Sequence, residues 1–120
     1  MTQNIDRYFF LVAVLFAVLG MGFGISMGMV QDFSLQSMHS HLLLIGWATL
    51  ALFGIGYRLD FAAKNKLAVA HFIFAVAGAL AMPLGIYCAV RQNQHAVAIL
   101  GSLLILVATL LFLVNVWRRR

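Results

Sequence analysis

The sequence predicts an all-α integral membrane protein, a four-helix bundle with its N- and C-termini cytoplasmic, and three observations predict it. Of the 120 residues 64% are apolar and 9% charged, against about 25% charged in a soluble domain. The apolar residues collect in four runs, each near the length of about 20 residues that crosses a bilayer as a helix. The basic residues fall at the ends of those runs, so the net charge of +5 reads as topology. Nucleic acid is excluded as a partner, because anionic lipid headgroups suffice for basic helix ends.

The first span covers about 8–30. It is too long for a signal-peptide core and ends without a small-residue cleavage pattern, so it is expected to be a retained anchor. Its outer half carries Gly20, Gly24 and Gly28 with Gly22 and Ser26 interleaved. Such a narrow face has two readings, close helix-on-helix contact or clearance for a flat, bulky cofactor. The second span covers about 39–57 and opens on His39 and His41. The third, about 67–90, is rich in Ala and Gly and holds the only proline, Pro83, expected to kink it. The fourth, about 95–117, ends in Arg118, Arg119 and Arg120. Short connections force antiparallel neighbours and leave no room for a second domain. Helices are favoured over a barrel because no alternating ten-residue segments occur.

With the N-terminus inside, Arg7, Arg58, Lys64, Lys66, Arg118, Arg119 and Arg120 are inside and only Arg91 is outside, as the positive-inside rule requires. The expected location is the inner (cytoplasmic) membrane of a bacterium. Cys88 stands alone in an apolar run. It can make neither an internal disulfide nor a covalent haem attachment, and it reads as a packed thiol.

No acidic or basic side chain lies at mid-depth in a span, which argues against a proton pump or ion-coupled transporter. Histidine is the remaining chemistry. His39, His41 and His95 share the outer side, while His71 lies near the inner start of the third span and reads as structural. Side chains two residues apart on a helix diverge by about 200°. His39 and His41 therefore do not chelate one ion; one is expected to face its own bundle and the other a neighbouring helix or subunit. His95 is a weaker ligand candidate, since it also suits an interfacial cap. Met21, Met27, Met29, Met38 and Met82 map to the outer half, and thioether with imidazole suits Cu(I), although methionine also fills irregular helix interfaces.

The run His39-Ser40-His41-Leu42-Leu43-Leu44-Ile45-Gly46-Trp47, followed by Gly54-Ile55-Gly56-Tyr57-Arg58-Leu59, resembles the second helix of haem-copper oxidase subunit I. In that family a histidine near the outer end of this helix ligates the low-spin haem. The family's subunit has twelve helices in three arcs of four, and this chain is the size of one arc. The resemblance thus implies a non-covalent haem b with His41 or His39 as axial ligand, and a homo-oligomer, a trimer favoured, holding haem between subunits. It also makes Arg91 a candidate partner for the haem propionates and Trp47 and Phe53 candidates to line the macrocycle. No counterpart of the family's copper-ligand segment or acidic proton-channel residues is present, so oxygen reduction and proton pumping are not implied. The expected function is electron transfer or gas binding near the outer face, with a redox partner in the membrane and oxidoreductase-type chemistry if the protein is an enzyme. Two other readings stand beside it: a non-enzymatic accessory or assembly subunit of a respiratory complex docking through the glycine face, and a copper-handling protein using the outer Met and His residues.

Overall fold

The structure, a computed structural model, describes residues 1–119; Arg120, expected among the inner charges, lies outside the described residues. Four helices are long and apolar enough to cross a membrane. A 3-10 turn, Thr2–Asn4, leads into α1, Ile5–Val30. Then come α2, Gln36–Arg58, α3, Lys66–Gln92, and α4, Ala96–Arg118. The helices extend the expected spans by a few residues at most ends. α3 runs on past Pro83 to Gln92.

The helix ends follow from local chemistry. Gln31 and Asn93 take left-handed conformations at φ 54° and 53° and stop α1 and α3, a common way of ending a helix. Asn65 caps α3, its Oδ1 accepting from the Ala68 N–H at 3.1 Å, the usual N-cap arrangement.

The departure from regularity is in α2. Between α-helical stretches at Gln36–His41 and Leu50–Arg58, residues Leu42–Thr49 wind as a π-helix. Thr49 turns its hydroxyl back onto the Leu44 carbonyl five residues earlier, at 2.7 Å. π-Helical turns are rare and concentrate at functional sites, and this one starts on the residue after His41.

Packing in a bilayer relies on close approach rather than on a hydrophobic drive between helices, so small residues mark the seams. On α4 the buried residues are Gly101, Ala108 and Asn115, seven apart and hence one narrow stripe. It meets a stripe on α3 that includes Ala68, His71, Ala75, Gly78, Met82 and Gly85. A Cβ on Gly101 would come within 2.7 Å of the Met82 nitrogen, and one on Gly85 would collide with the Ala98 backbone. Gly85→Ala is therefore expected to destabilise the α3–α4 hairpin by about 1–2 kcal/mol, read as an earlier unfolding midpoint in an SDS titration. The large apolar side chains left exposed, among them Leu15, Leu19, Leu52, Leu80, Leu103 and Leu113, coat the outside where lipid tails would lie.

The ends of the bundle differ in charge. At one end the N-terminus, the α2–α3 loop and the end of α4 meet: Lys64 pairs with Asp6 at 3.2 Å, Arg119 with Asp60, and Asn65 donates to Asn115. Both termini thus share one end, with Arg7, Arg58, Lys64, Lys66, Arg118 and Arg119. At the opposite end, Arg91 is the sole lysine or arginine among the described residues and faces Asp32 at 3.6 Å.

Candidate functional site

His39 and His41 sit on the short α-helical turn that opens α2, and the structure separates their surroundings. The His39 ring lies against α1: its Nδ1 is 2.9 Å from the Gly20 carbonyl oxygen. A Cβ on Gly24 would meet the ring's Cε1 at 2.6 Å. Leu43 fills the space over Gly20 in the same way. The narrow glycine face thus serves helix packing at Gly20 and Gly24, where side chains of α2 occupy the clearance considered for a flat cofactor. A Cβ on Gly22 or Gly28 would meet open space.

His41 points elsewhere. Its Nδ1 contacts the Ser37 carbonyl oxygen of its own helix at 2.7 Å. A carbonyl can only accept, so Nδ1–H is the donor in both histidines, and the lone pair resides on Nε2. The Nε2 atoms of His39 and His41 have no hydrogen-bond partner, yet neither is a buried orphan: among the described residues that condition belongs to His71 Nε2. Both rings are therefore fixed at Nδ1 and make no hydrogen bond at Nε2, the arrangement that backbone carbonyls impose on metal-ligating imidazoles, although the His39 Nε2 lies over Gly24 of α1, 3.2 Å from where a Cβ would stand.

The other expected site residues have different settings. His95 is exposed at the start of α4 with its Nε2 3.1 Å from Asn93 Oδ1, so its Nε2 donates there. Arg91 faces Asp32, whose carboxyl is held below the usual carboxylate range by hydrogen bonds from Ser34, with Arg91 adding to the effect. Any anion recruited to Arg91 at neutral pH competes with that carboxylate. Trp47 packs edge-on against Phe10 of α1, ring centroids 6.1 Å apart. Phe53 is in the core, 4.4 Å from the His71 ring. Met82 accepts from the Ser102 hydroxyl at 3.6 Å and Met27 is buried. Among the described residues no three His, Cys, Asp or Glu side chains gather as a metal-holding group. Cys88 is free and half-buried.

His71 is fully buried in an aromatic cage of Phe9, Phe53, Tyr57 and Phe112 near the end that carries the termini. Its Nδ1 is 2.9 Å from the Tyr57 hydroxyl. That hydroxyl accepts from Asn115 Nδ2 at 3.3 Å, so its own proton goes to His71 Nδ1. Asn115 also donates to the Ala63 carbonyl at 2.9 Å and accepts from Asn65 at 3.4 Å. This polar chain ties α2, α3, α4 and the loop together, which fits the structural reading of His71. Sequence reasoning missed the chain; its one signal was Asn115, an amide inside the run Leu113-Val114-Asn115-Val116.

Haem asks for an imidazole with a free Nε2 and room for a macrocycle beside it. His39 and His41 supply the first. Two clefts, of about 330 Å³ and 90 Å³, are lined by other residues. Neither cleft therefore offers room for a macrocycle beside either imidazole within one chain. Gly24→Ala is expected to push the His39 ring off α1 and break its bond to Gly20. A change in the imidazole NMR resonances of His39, with those of His41 unmoved, checks it.

No protein-family model, curated protein or solved structure matches the chain.

Proposed function

We propose that the chain is a multi-pass membrane protein that binds haem b through the histidines of α2, between subunits of a homo-oligomer. The observation that carries this reading is the common state of His39 and His41: each has Nδ1–H on a backbone carbonyl and an unengaged Nε2. The carbonyl bonds fix the tautomer and ring orientation and raise the basicity of Nε2, which strengthens an axial bond to iron. The π-helical turn beginning at Leu42 supports the same location.

The two rings leave the helix in divergent directions, so a single chain offers each iron one imidazole. A second copy supplies the other, which is why assembly belongs to the proposal, with a trimer favoured by the resemblance to one arc of an oxidase subunit. Bound there, haem supplies one-electron cycling of iron or a binding site for a diatomic gas. The protein's part is to orient the imidazoles and keep the group in a low-dielectric setting. The distribution of basic residues supports placing the termini in the cytoplasm of a bacterium, which puts the haem near the outer face of the inner membrane.

The test is the visible spectrum of the purified protein after haem supplementation, with oligomer mass measured on the same sample. Sharp α and β bands on reduction are expected, from an oligomer. A monomer that stays colourless overturns the proposal.

A further inference from the structure

The larger cleft, about 330 Å³, lies between α1 and α2 at the end that carries the termini, and is lined by Asp6, Arg7, Phe10, Gly54, Ile55 and Arg58. Its composition is divided. Phe10 and Ile55, 43% and 41% exposed, form an apolar wall open to the outside of the bundle, and Gly54 forms a floor where α2 nears the α1 backbone, a Cβ there standing 3.0 Å from the Asp6 carbonyl oxygen. Above them the polar rim holds two arginines.

The charges there do not cancel. Asp6 is 7% exposed and is the carboxylate shared by Lys64 at 3.2 Å and Arg58 at 3.4 Å. Lys64 takes its Oδ1 and Arg58 its Oδ2, so one carboxylate faces two cations. The Arg58 side chain is 79% exposed, and Arg7 has no carboxylate partner among the described residues. Two guanidiniums thus flank an apolar trough at the ends of two apolar spans.

We infer that this cleft is a binding site for an anionic phospholipid of the adjacent leaflet, its phosphate held by Arg7 and Arg58 and one acyl chain lying along Phe10 and Ile55. Guanidiniums pair with phosphate oxygens in bidentate fashion, and basic side chains at a leaflet surface each favour anionic lipid. A soluble phosphate would use the arginines and leave the apolar wall uncovered; a zwitterionic lipid would cover the wall and bring its own cation against the arginines. The site is independent of haem binding and lies at the other end of the bundle from His39 and His41.

The experiment incubates the 120-residue chain in detergent with phosphatidylglycerol or phosphatidylcholine and counts retained lipid by native mass spectrometry. Preferential retention of phosphatidylglycerol is expected. Arg7→Gln and Arg58→Gln should each lower it about fivefold, and the pair about thirtyfold, while Arg7→Lys keeps most of it and Arg91→Gln at the opposite end changes nothing. Lys64 still holds Asp6 in all of these variants; if the double variant fails to fold, Arg7→Gln alone decides. Equal retention of the two lipids, undiminished retention in Arg7→Gln, or displacement of the lipid by millimolar inorganic phosphate would each overturn the inference.

Discussion

On the proposed haem site, His41→Ala is expected to abolish binding: affinity falls by more than about 100-fold and the Soret band disappears from the reconstituted sample. The bound rests on removing a ligand, which must exceed the roughly 10–100-fold typical of losing only its hydrogen-bonded support. His41 carries the larger share because its ring depends on its own helix alone. Its Nδ1–H goes to the Ser37 carbonyl, and no side chain of another helix holds it. His39 is wedged between helices, with Gly24 against its ring and Gly20 on its Nδ1. His39→Ala is thus expected both to weaken haem binding and to loosen the α1–α2 contact. Gly24→Ala separates these effects, because it displaces the His39 ring and leaves the imidazole in the chain. If His39 ligates iron, Gly24→Ala shifts the reduced α band; if His41 alone does, the band is unmoved. Retention of an unaltered spectrum in both His39→Ala and His41→Ala would remove α2 from the site.

How much of this was legible in the sequence depended on whether the signal was local. The four spans were legible because hydropathy and helix length are properties of short windows, and the shared end of the termini followed from an even number of spans joined by three short connections. The divergence of His39 and His41 was legible for the same reason, as a consequence of the angle per residue in a regular helix. The π-helical stretch was not. Leu42–Thr49 has no proline or polar residue in its backbone path before Thr49; what accompanies the π winding is a local bond, Thr49 to the Leu44 carbonyl, and a contact with another helix, Gly46 against Phe16 of α1, which no local pattern announces. The glycine face of α1 was legible as a close contact, but its occupant was not, since nothing local says that Leu43 and His39 fill it. The salt bridges of Asp6 lay equally out of reach: Arg58 and Lys64 are more than fifty residues away, joined to it only by the fold.

Asn115→Leu is expected to destabilise the protein by about 2–3 kcal/mol, whereas His71→Phe, at a neighbouring position of the same buried chain, is expected to lie within about 1 kcal/mol of wild type. Asn115 uses every polar atom it has. Its amide hydrogens go to the Tyr57 hydroxyl and the Ala63 carbonyl, and its oxygen accepts from Asn65. Leucine strands the Tyr57 hydroxyl and the Ala63 carbonyl, whereas the exposed Asn65 can turn to water, and each stranded group carries a desolvation cost of about 1 kcal/mol or more. Hydrogen bonds between helices in membranes average below that value, which keeps the sum in the low single digits. His71 has a different balance. Removing it strands the Tyr57 hydroxyl proton, but it also removes Nε2, a buried nitrogen with no partner. The two effects are similar in size and opposite in sign, and phenylalanine suits the aromatic cage of Phe9, Phe53 and Phe112. SDS-titration midpoints of the two variants measure the difference. A His71→Phe variant as unstable as Asn115→Leu would mean that Nε2 has a partner in the working protein, and a His71→Phe variant that is stable but loses haem would move the ligand from α2 to α3.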